Sequence, residues 1–430
     1  MQDIKHDRFD VTVEGDIETR GRRQFLTRGA KAAGAIAAGS VAAMQNASAQ
    51  VSGPEWMRQP GSLSKGYGQP SKFEEKVPRA WGTGYPTVSP GTGASRTPLQ
   101  SLNGSITPSG LHFERHHNGV PEVDPSKHEL IIHGMVRQAL VFSVKDLLRY
   151  PMVSRVHFIE CAGNSGANTL PTAPQQTIQT IHGLFSNTEW TGIPLSTLLE
   201  EAGIDPQSSW LLAEGADAAA MSRSFPLSKG MGDAMLALYQ NGERIRPEQG
   251  YPMRLLLPGY QGNMSVKWLR CLKVTNEPMH TKDETSKYTN LLPDGKAQQF
   301  FFVLGVKSII THPSGATTMP GRGFYEISGL AWSGAGRIVK VEVSTDGGAS
   351  WREAKLDGQP QSKAAVRFRF PWDWSGSAAL LQSRATDEDG HVQPSRSAWT
   401  ATYSAANRFH NNMIQTWSVA ADGSVNNVYA

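Results

Sequence analysis

Cysteine is nearly absent from this sequence: 430 residues contain only Cys161 and Cys271. A count this low excludes a disulfide-rich scaffold, although an oxidising compartment would still allow these two thiols to pair. The sequence also has no Cys-x-x-Cys-His motif, so no c-type haem is expected on this chain.

Strong charge and long apolar runs are also missing. The formal net charge is only +4, with no dense basic tract outside the first residues, which argues against a nucleic-acid partner. The alanine- and glycine-rich segment 29–44 is too short and too weakly apolar for a membrane anchor. In contrast, 43 glycines and 26 prolines indicate many loops and turns rather than a helical bundle. The length allows two or three domains.

The first 49 residues have the features of a twin-arginine signal peptide. Arg22 and Arg23 precede Gln-Phe-Leu, the alanine- and glycine-rich segment follows, and Ala47-Ser48-Ala49 is a small-residue cleavage site. We therefore predict export to the periplasm, with cleavage near Ala49. This route carries folded proteins, which is a first hint of a bound cofactor.

The remaining chain divides into three predicted parts. Residues 50–110 are rich in proline, glycine and serine, and are predicted to form an extended N-terminal arm. In 111–300 short strands and short helices alternate irregularly, which indicates a mixed α+β domain. Helices are predicted from Ser143, as N-cap, and over 196–202.

Residues 301–430 show the alternation of a β-sandwich of immunoglobulin size. Over 337–344 the pattern predicts a strand with Val339, Val341 and Val343 on one face, followed by a hairpin turn at 346–348. Segments 379–386 and 397–403 repeat the strand pattern. Without a titratable cluster of its own, this domain is predicted to serve docking or dimerisation.

One stretch, 156–166, is the strongest candidate for chemistry. An apolar strand delivers Cys161 to a tight Ala-Gly-Asn turn. A thiol in this position suits a metal ligand, a nucleophile or half of a disulfide, while a small buried core residue is the alternative.

Two further clusters contain cations. Arg115, His116 and His117 lie in Phe-Glu-Arg-His-His before an Asn-Gly turn, where they can bind an anionic group, or else form a solvated loop. Arg254 and Lys267 flank a Pro-Gly turn, an arrangement that suits an oxyanion or is simply surface charge. A polar linker over 277–299 carries Tyr288.

Together, the order of these motifs resembles the sulfite oxidase family of molybdenum enzymes. The resemblance extends from about residue 110 to 417, and its most specific parts are Phe-x-Arg-x-His at 113–117, Cys-Ala-Gly-Asn at 161–164 and Gly-Tyr-Pro-Met-Arg at 250–254. It implies a mixed α+β molybdopterin-binding domain followed by an immunoglobulin-like β-sandwich dimerisation domain, and a molybdenum–molybdopterin cofactor.

The resemblance also implies roles for single residues. Cys161 matches the thiolate ligand of molybdenum, Tyr288 the active-site tyrosine, and Arg408 an arginine that reaches in from the sandwich domain. Gln249 stands where the family often has histidine. The residues that match cofactor-binding positions are Arg115 (also expected to be catalytic), His117, Asp217, Gln249, Arg254, Ser265, Val266 and Lys267.

The sequence departs from the family directly after the Cys-Ala-Gly-Asn motif. Sulfite oxidases continue with one or two arginines, whereas this chain has Ser165 and Gly166. A buried guanidinium contact contributes about 1.5–3 kcal/mol, so its loss is expected to weaken binding of a small dianion at least about tenfold.

This departure, the predicted leader and the missing haem motif resemble the molybdenum subunits of sulfane dehydrogenases. The resemblance implies oxidation of sulfane sulfur on a carrier-protein cysteine towards sulfonate, two electrons at a time. It also implies a partner c-type cytochrome and a homodimer of this subunit within a heterotetramer. The alternatives are a sulfite dehydrogenase with a cytochrome c acceptor and a non-catalytic binding or assembly module on the same scaffold.

Overall fold

A computed structural model describes residues 67–74, 76–82, 91–285, 287–404 and 406–429. The predicted signal peptide, 1–49, lies outside the described residues, as do 50–66 and 83–90 of the predicted arm. Residues Pro70–Ala430 form one compact unit, and the description below concerns that unit. None of the helices described is long and apolar enough to span a membrane.

The part of the chain before residue 300 contains five α-helices, several short 3-10 helices and fifteen strands within the described residues. The helices are α1 (Val144–Leu147), α2 (Ile178–His182), α3 (Leu195–Ala202), α4 (Leu227–Gly232) and α5 (Lys282–Thr285). The strands are β1 (Ala80–Gly82), β2 (Gly93–Arg96), β3 (Glu114–His116), β4 (Glu129–Gly134), β5 (Leu140–Ser143), β6 (Val153–Glu160), β7 (Phe185–Pro194), β8 (Trp210–Gly215), β9 (Ser222–Pro226), β10 (Met235–Gln240), β11 (Glu243–Arg244), β12 (Arg254–Leu256), β13 (Leu269–Thr275), β14 (Asn290–Leu291) and β15 (Ala297–Gln298).

These strands form four sheets. Their orders are β1-β2-β3, β11-β10-β7-β6 with β12 paired to β10, β5-β4-β13-β8-β9, and β14-β15. The β4–β13 pair is parallel, and the other pairs are antiparallel. The arm therefore contributes to the fold, because its strand β2 pairs with both β1 and β3.

Capping residues and apolar spacing explain the two predicted helices, α1 and α3. Ser143 caps α1 through a capping box with Asp146. In α3 the buried residues fall on one face, and the helix ends at Gly203 with φ of 72°. The buried side of α3 packs on the core beneath the β5-β4-β13-β8-β9 sheet.

The second part of the chain is a β-sandwich. Its strands are β16 (Lys307–His312), β17 (Gly323–Trp332), β18 (Ile338–Ser344), β19 (Arg352–Glu353), β20 (Lys355–Leu356), β21 (Val366–Trp374), β22 (Ala379–Asp387), β23 (Thr416–Val419) and β24 (Val425–Val428). They form the sheets β16-β17-β21-β20 and β19-β18-β22-β23-β24, which share a core containing Trp332, Phe368 and Trp417. The predicted α+β class is confirmed.

Two details of the sandwich prediction are wrong. Val341 and Val343 are buried, but Val339 is 47% exposed because a bulge shifts the register between Ile338 and Lys340, so that Ile338 is buried instead. Segment 397–403 is not a strand, since Arg396–Thr402 form helix α6 with Ser395 as N-cap. Trp399 is the only buried residue of this helix. A single buried position is compatible with the period of a helix as well as with that of a strand.

Buried histidines make the stability of the fold sensitive to acid. Burial lowers the pKa of His182 to about 3 and that of His157 to about 4. The unfolded chain takes up these protons near pH 6.5, and the folded chain only near pH 3–4. Stability is therefore complete above about pH 6.5 and decreases as the pH falls. His182 alone is expected to cost about 2 kcal/mol at pH 5.

This prediction is tested by urea unfolding followed by tryptophan fluorescence at pH 7 and pH 5. We expect a lower midpoint at pH 5, and a smaller difference between the two pH values in His182→Gln. Equal midpoints for the parent protein at both pH values would contradict the assignment.

Candidate functional site

Strand β6 delivers Cys161 to a tightly bonded turn. The Cys161 N–H donates to Leu184 O at 3.0 Å, and the Asn164 N–H donates back to Cys161 O at 2.9 Å. The Asn164 side-chain oxygen accepts from the Leu184 N–H at 3.1 Å. The turn continues through Ser165, whose φ is 63°. Cys161 and Cys271 are both free thiols, so the disulfide alternative does not apply.

Cys161 opens onto a cleft of about 700 Å³. Every predicted site residue except Arg408 lines this cleft. Besides Cys161 they are Arg115, His117, Asp217, Gln249, Arg254, Ser265, Val266, Lys267 and Tyr288. The structure thus brings together residues that lie up to 173 positions apart in the sequence, from Arg115 to Tyr288.

Arg254 is a buried cation, only 3% exposed, that forms no ion pair with any described residue. It donates to Gln249 O at 3.1 Å and to Ser265 O at 2.7 Å, and its guanidinium lies 5.1 Å from the Trp190 ring centroid. Its Nε has no hydrogen-bond partner among the described residues. Burial lowers the pKa of Arg254 to about 9. Such a group is suited to an anionic ligand.

Lys267 provides a second cation in the cleft. Its ammonium donates to Arg115 O at 3.2 Å, to Glu248 O at 3.1 Å and to His116 Nδ1 at 2.9 Å. Since His116 accepts at Nδ1, its proton is on Nε2, which donates to Glu114 at 2.8 Å. Burial, assisted by Arg254, lowers the pKa of Lys267 to about 7. A bound anion would restore its charge.

Tyr288 lies on the Cys161 side of the cleft. Burial raises its pKa, and the Cys161 thiolate adds to this effect. Burial, with Arg115 next in importance, lowers the pKa of His117 to about 4, so this imidazole is neutral at pH 7. The Tyr288 hydroxyl and His117 Nε2 share a hydrogen bond of 3.0 Å, and Arg223 stacks over the tyrosine ring at 5.1 Å. Tyr288 is therefore held as a neutral phenol.

The structure does not bring Arg408 into the cleft. Its side chain is exposed and donates to Thr169 Oγ1. Its backbone carbonyl lies 2.8 Å from where a side chain at Gly166 would begin, which explains glycine at that position. The catalytic role of Arg408 stays a prediction.

Several residues of the cleft are absent from the sequence-based prediction. They are His112, Phe113, Ile159, Met221, Gly262, Asn263 and Trp268. Most of them flank a predicted residue and share its strand or turn. His112 gave no such signal: it is buried, its Nδ1 donates to Phe113 O at 2.9 Å, and its Nε2 has no partner among the described residues.

The chemistry of the cleft fits a large anionic cofactor with a metal at one end. Arg254 and Lys267 supply positive charge, and two buried polar atoms, Arg254 Nε and His112 Nε2, lack partners among the residues described. Cys161 supplies a thiol, whose pKa burial raises. A high-valent metal bound to the sulfur would instead hold it as thiolate.

Comparisons with known proteins agree with this geometry. Residues 117–282 match the "Oxidoreductase molybdopterin binding domain" family, and 298–417 match the "Mo-co oxidoreductase dimerisation domain" family. Sulfite oxidase of Gallus gallus is 30% identical over 314 residues, which cover 67% of this chain and 68% of that protein. Mitochondrial sulfite oxidase of Homo sapiens is 30% identical over 71% of this chain, and the match spans only 61% of the human protein's length.

Among solved structures, that of the sulfane dehydrogenase SoxCD from Paracoccus pantotrophus superposes with a TM-score of 0.86. The two sequences are 46% identical, and the match covers 89% of this chain and 98% of that chain.

Proposed function

Because the chain belongs to the sulfite oxidase family of molybdenum oxidoreductases, we propose that it is the molybdenum subunit of a periplasmic sulfane dehydrogenase. Its substrate in this proposal is sulfane sulfur bound to a carrier-protein cysteine, and its electron acceptor is a partner c-type cytochrome. The 46% identity with the Paracoccus sulfane dehydrogenase supports this choice, and the predicted twin-arginine leader supports export.

The cofactor implied by the family is molybdenum bound to molybdopterin, and the cleft residues fit it. Cys161 would bind the metal, while Arg254 and Lys267 would hold the anionic part of the pterin. When bound, this group supplies two-electron redox chemistry and the transfer of oxygen that originates in water.

The chain's own residues prepare the reacting end of the cleft. Tyr288, as a neutral phenol, can donate a hydrogen bond towards an oxygen beside Cys161. His117 would orient that phenol by donating from Nε2 to the phenol oxygen at 3.0 Å, which leaves the phenol proton free for the other bond. Arg115 lines the same cleft and provides a guanidinium for the negative charge that develops as sulfur acquires oxygen.

The observation that carries the substrate proposal is residue 165. Ser165 is only 2% exposed, and its hydroxyl is bonded to Lys307 and His182 rather than directed at a ligand. No guanidinium enters the cleft from this position. A site with fewer arginines suits a sulfur of low charge presented on a larger group better than free sulfite.

The overall reaction balances for such a substrate. R–S–SH and three water molecules give R–S–SO₃⁻, seven protons and six electrons. Three successive two-electron steps are therefore needed, and each transfers its electrons to the partner cytochrome. The dimerisation-domain match supports a homodimer of this subunit within a heterotetramer.

Sulfite dehydrogenation is the second candidate, because sulfite oxidases are among the 30% identical relatives and Arg115 lines the cleft. The two are distinguished by cytochrome c reduction with molybdenum-loaded protein and its cytochrome partner. We expect a carrier protein bearing a cysteine persulfide to be oxidised with at least about tenfold higher kcat/KM than free sulfite. A preference for free sulfite would overturn the proposal and favour the second candidate. Absence of bound molybdenum would favour a non-catalytic module.

A further inference from the structure

The turn that carries Cys161 is held from the sandwich side by a buried lysine. Lys307, the first residue of β16, is 1% exposed. Its ammonium donates to Glu160 Oε1 at 2.7 Å, to Ser165 Oγ at 2.7 Å and to Asn411 O at 2.8 Å. All three donors are used, so Lys307 is fixed in one orientation.

Each partner of Lys307 is itself bonded into the turn or its support. The Glu160 carboxylate also accepts from Asn164 Nδ2 at 2.9 Å and from Trp332 Nε1 at 2.8 Å. These contacts involve the residue before Cys161 and the third residue after it. Sandwich residues thus bond both ends of the segment that positions the thiol.

The hydrogen bonds around Ser165 have defined donors and acceptors. His182 Nε2 donates to Gln415 Oε1 at 3.2 Å, so its Nδ1 accepts from the Ser165 hydroxyl at 2.6 Å. Ser165 Oγ in turn accepts from Lys307. Ser165 adopts a φ of 63°, a left-handed conformation that is unfavourable for a residue with a side chain. The network holds the serine in this conformation.

Burying an ion pair between two domains costs desolvation free energy. Replacing such a pair with apolar residues of similar volume is often neutral or stabilising, so stability alone is a poor reason for Lys307 and Glu160. The pair instead fixes the orientation of the groups around it, because an ammonium group with three fixed acceptors tolerates little displacement.

We propose that Lys307 is a positioning residue for the metal-binding thiol: through Glu160 and Ser165 it fixes the Cys161 turn and thereby the direction of the sulfur. The proposal rests on Cys161 as the metal ligand and not on which sulfur compound is the substrate. It also gives the sandwich a role at the reacting centre beyond dimerisation.

The first test is Lys307→Met, which removes the ammonium group and keeps an unbranched side chain that is one atom shorter. Glu160 is then buried without a counter-ion, and we expect a large drop in Tm. The double variant Lys307→Met/Glu160→Gln removes both charges and should recover most of this loss. It is therefore the variant in which the position of the thiol can be measured in folded protein.

Two measurements report that position without relying on turnover. In the cofactor-free form of the double variant, we expect iodoacetamide to alkylate Cys161 about tenfold faster than in the cofactor-free parent protein. The reason is that the charge-assisted hydrogen bond between residues 307 and 160, which restrains the turn, has been removed. A Cys271→Ser background removes the other thiol. In the loaded protein we expect a shift of the Mo(V) electron paramagnetic resonance g values, which depend on the sulfur–metal geometry.

Lys229→Met is the matched control. Lys229 is also a buried lysine; it pairs with Asp233 at 2.5 Å and donates to Pro258 O at 2.6 Å, but bonds no residue of the 160–165 turn. This variant should be less stable than the parent protein. Its Cys161 alkylation rate and its Mo(V) g values should equal those of the parent. If the double variant of Lys307 and Glu160 also keeps the parental alkylation rate and g values, Lys307 is structural only and the proposal is wrong. A loss of substrate preference alone would bear on the proposed function and not on this inference.

Discussion

The Cys161→Ala variant is expected to lose turnover by more than about a hundredfold while keeping its fold. Changes to groups that merely orient a metal ligand cost 10–100-fold, and removal of the ligand itself should cost more. The structural cost is small because alanine keeps the backbone hydrogen bonds of Cys161, and the sulfur adds only an acceptor for the Gly163 N–H. We expect the unfolding free energy to change by no more than about 1 kcal/mol.

Cys271→Ala provides the control for this prediction. Cys271 is a partly buried free thiol on β13, and its sulfur contacts His133 Nε2 at 3.3 Å, in a different sheet from Cys161. Turnover and molybdenum content are measured for both variants, together with urea unfolding. We expect only the Cys161 variant to lose activity. Full activity in that variant would remove Cys161 as the metal ligand and leave the family's chemistry without its thiolate.

Much of the site could be predicted because short motifs place their residues locally. Arg254 and Lys267 flank one turn, and the backbone around them forms bridges that bring both into the same wall of the cleft. The Cys-Ala-Gly-Asn turn is likewise closed by a local hydrogen bond, from the Asn164 N–H to Cys161 O. Where the chemistry depends on a residue and its near neighbours, the sequence contains enough information.

What could not be predicted depends on contacts between distant segments. Lys307 is the first residue of the strand Lys-Ser-Ile-Ile-Thr-His, a position that gives no sign of burial, and only the fold places it 2.7 Å from Glu160, which lies 147 residues earlier. His112 is similar, since burial rather than spacing leaves its Nε2 without a partner among the residues that the structure describes. The bulge at Val339 and the helix Arg396–Thr402 were missed because alternation alone does not reveal a register shift, or distinguish a short helix from a strand.

The second large effect is expected at Arg254, where we predict that Arg254→Met purifies with at least about tenfold less molybdenum and pterin than the parent protein. A charge-assisted hydrogen bond contributes about 1.5–3 kcal/mol, which corresponds to a factor of about 10–150 in binding. Metal content is measured by mass spectrometry and pterin by the fluorescence of its oxidised form. The cofactor content of Arg254→Lys should lie between that of Arg254→Met and that of the parent protein, because lysine keeps the charge but lacks the forked donor geometry of a guanidinium.

Arg367→Met separates a cofactor-binding arginine from a structural one. Arg367 is equally buried, at 2% exposure, but each of its three guanidinium nitrogens donates a hydrogen bond, to Gly104 O, Leu102 O and Thr311 Oγ1. Its replacement should lower stability and leave cofactor content unchanged. Arg254 has an unused Nε and no acidic partner among the described residues, so its charge is unbalanced until an anion binds. If Arg254→Met retained full cofactor, the buried charge would have no ligand to explain it, and the anionic part of the pterin would have to bind elsewhere.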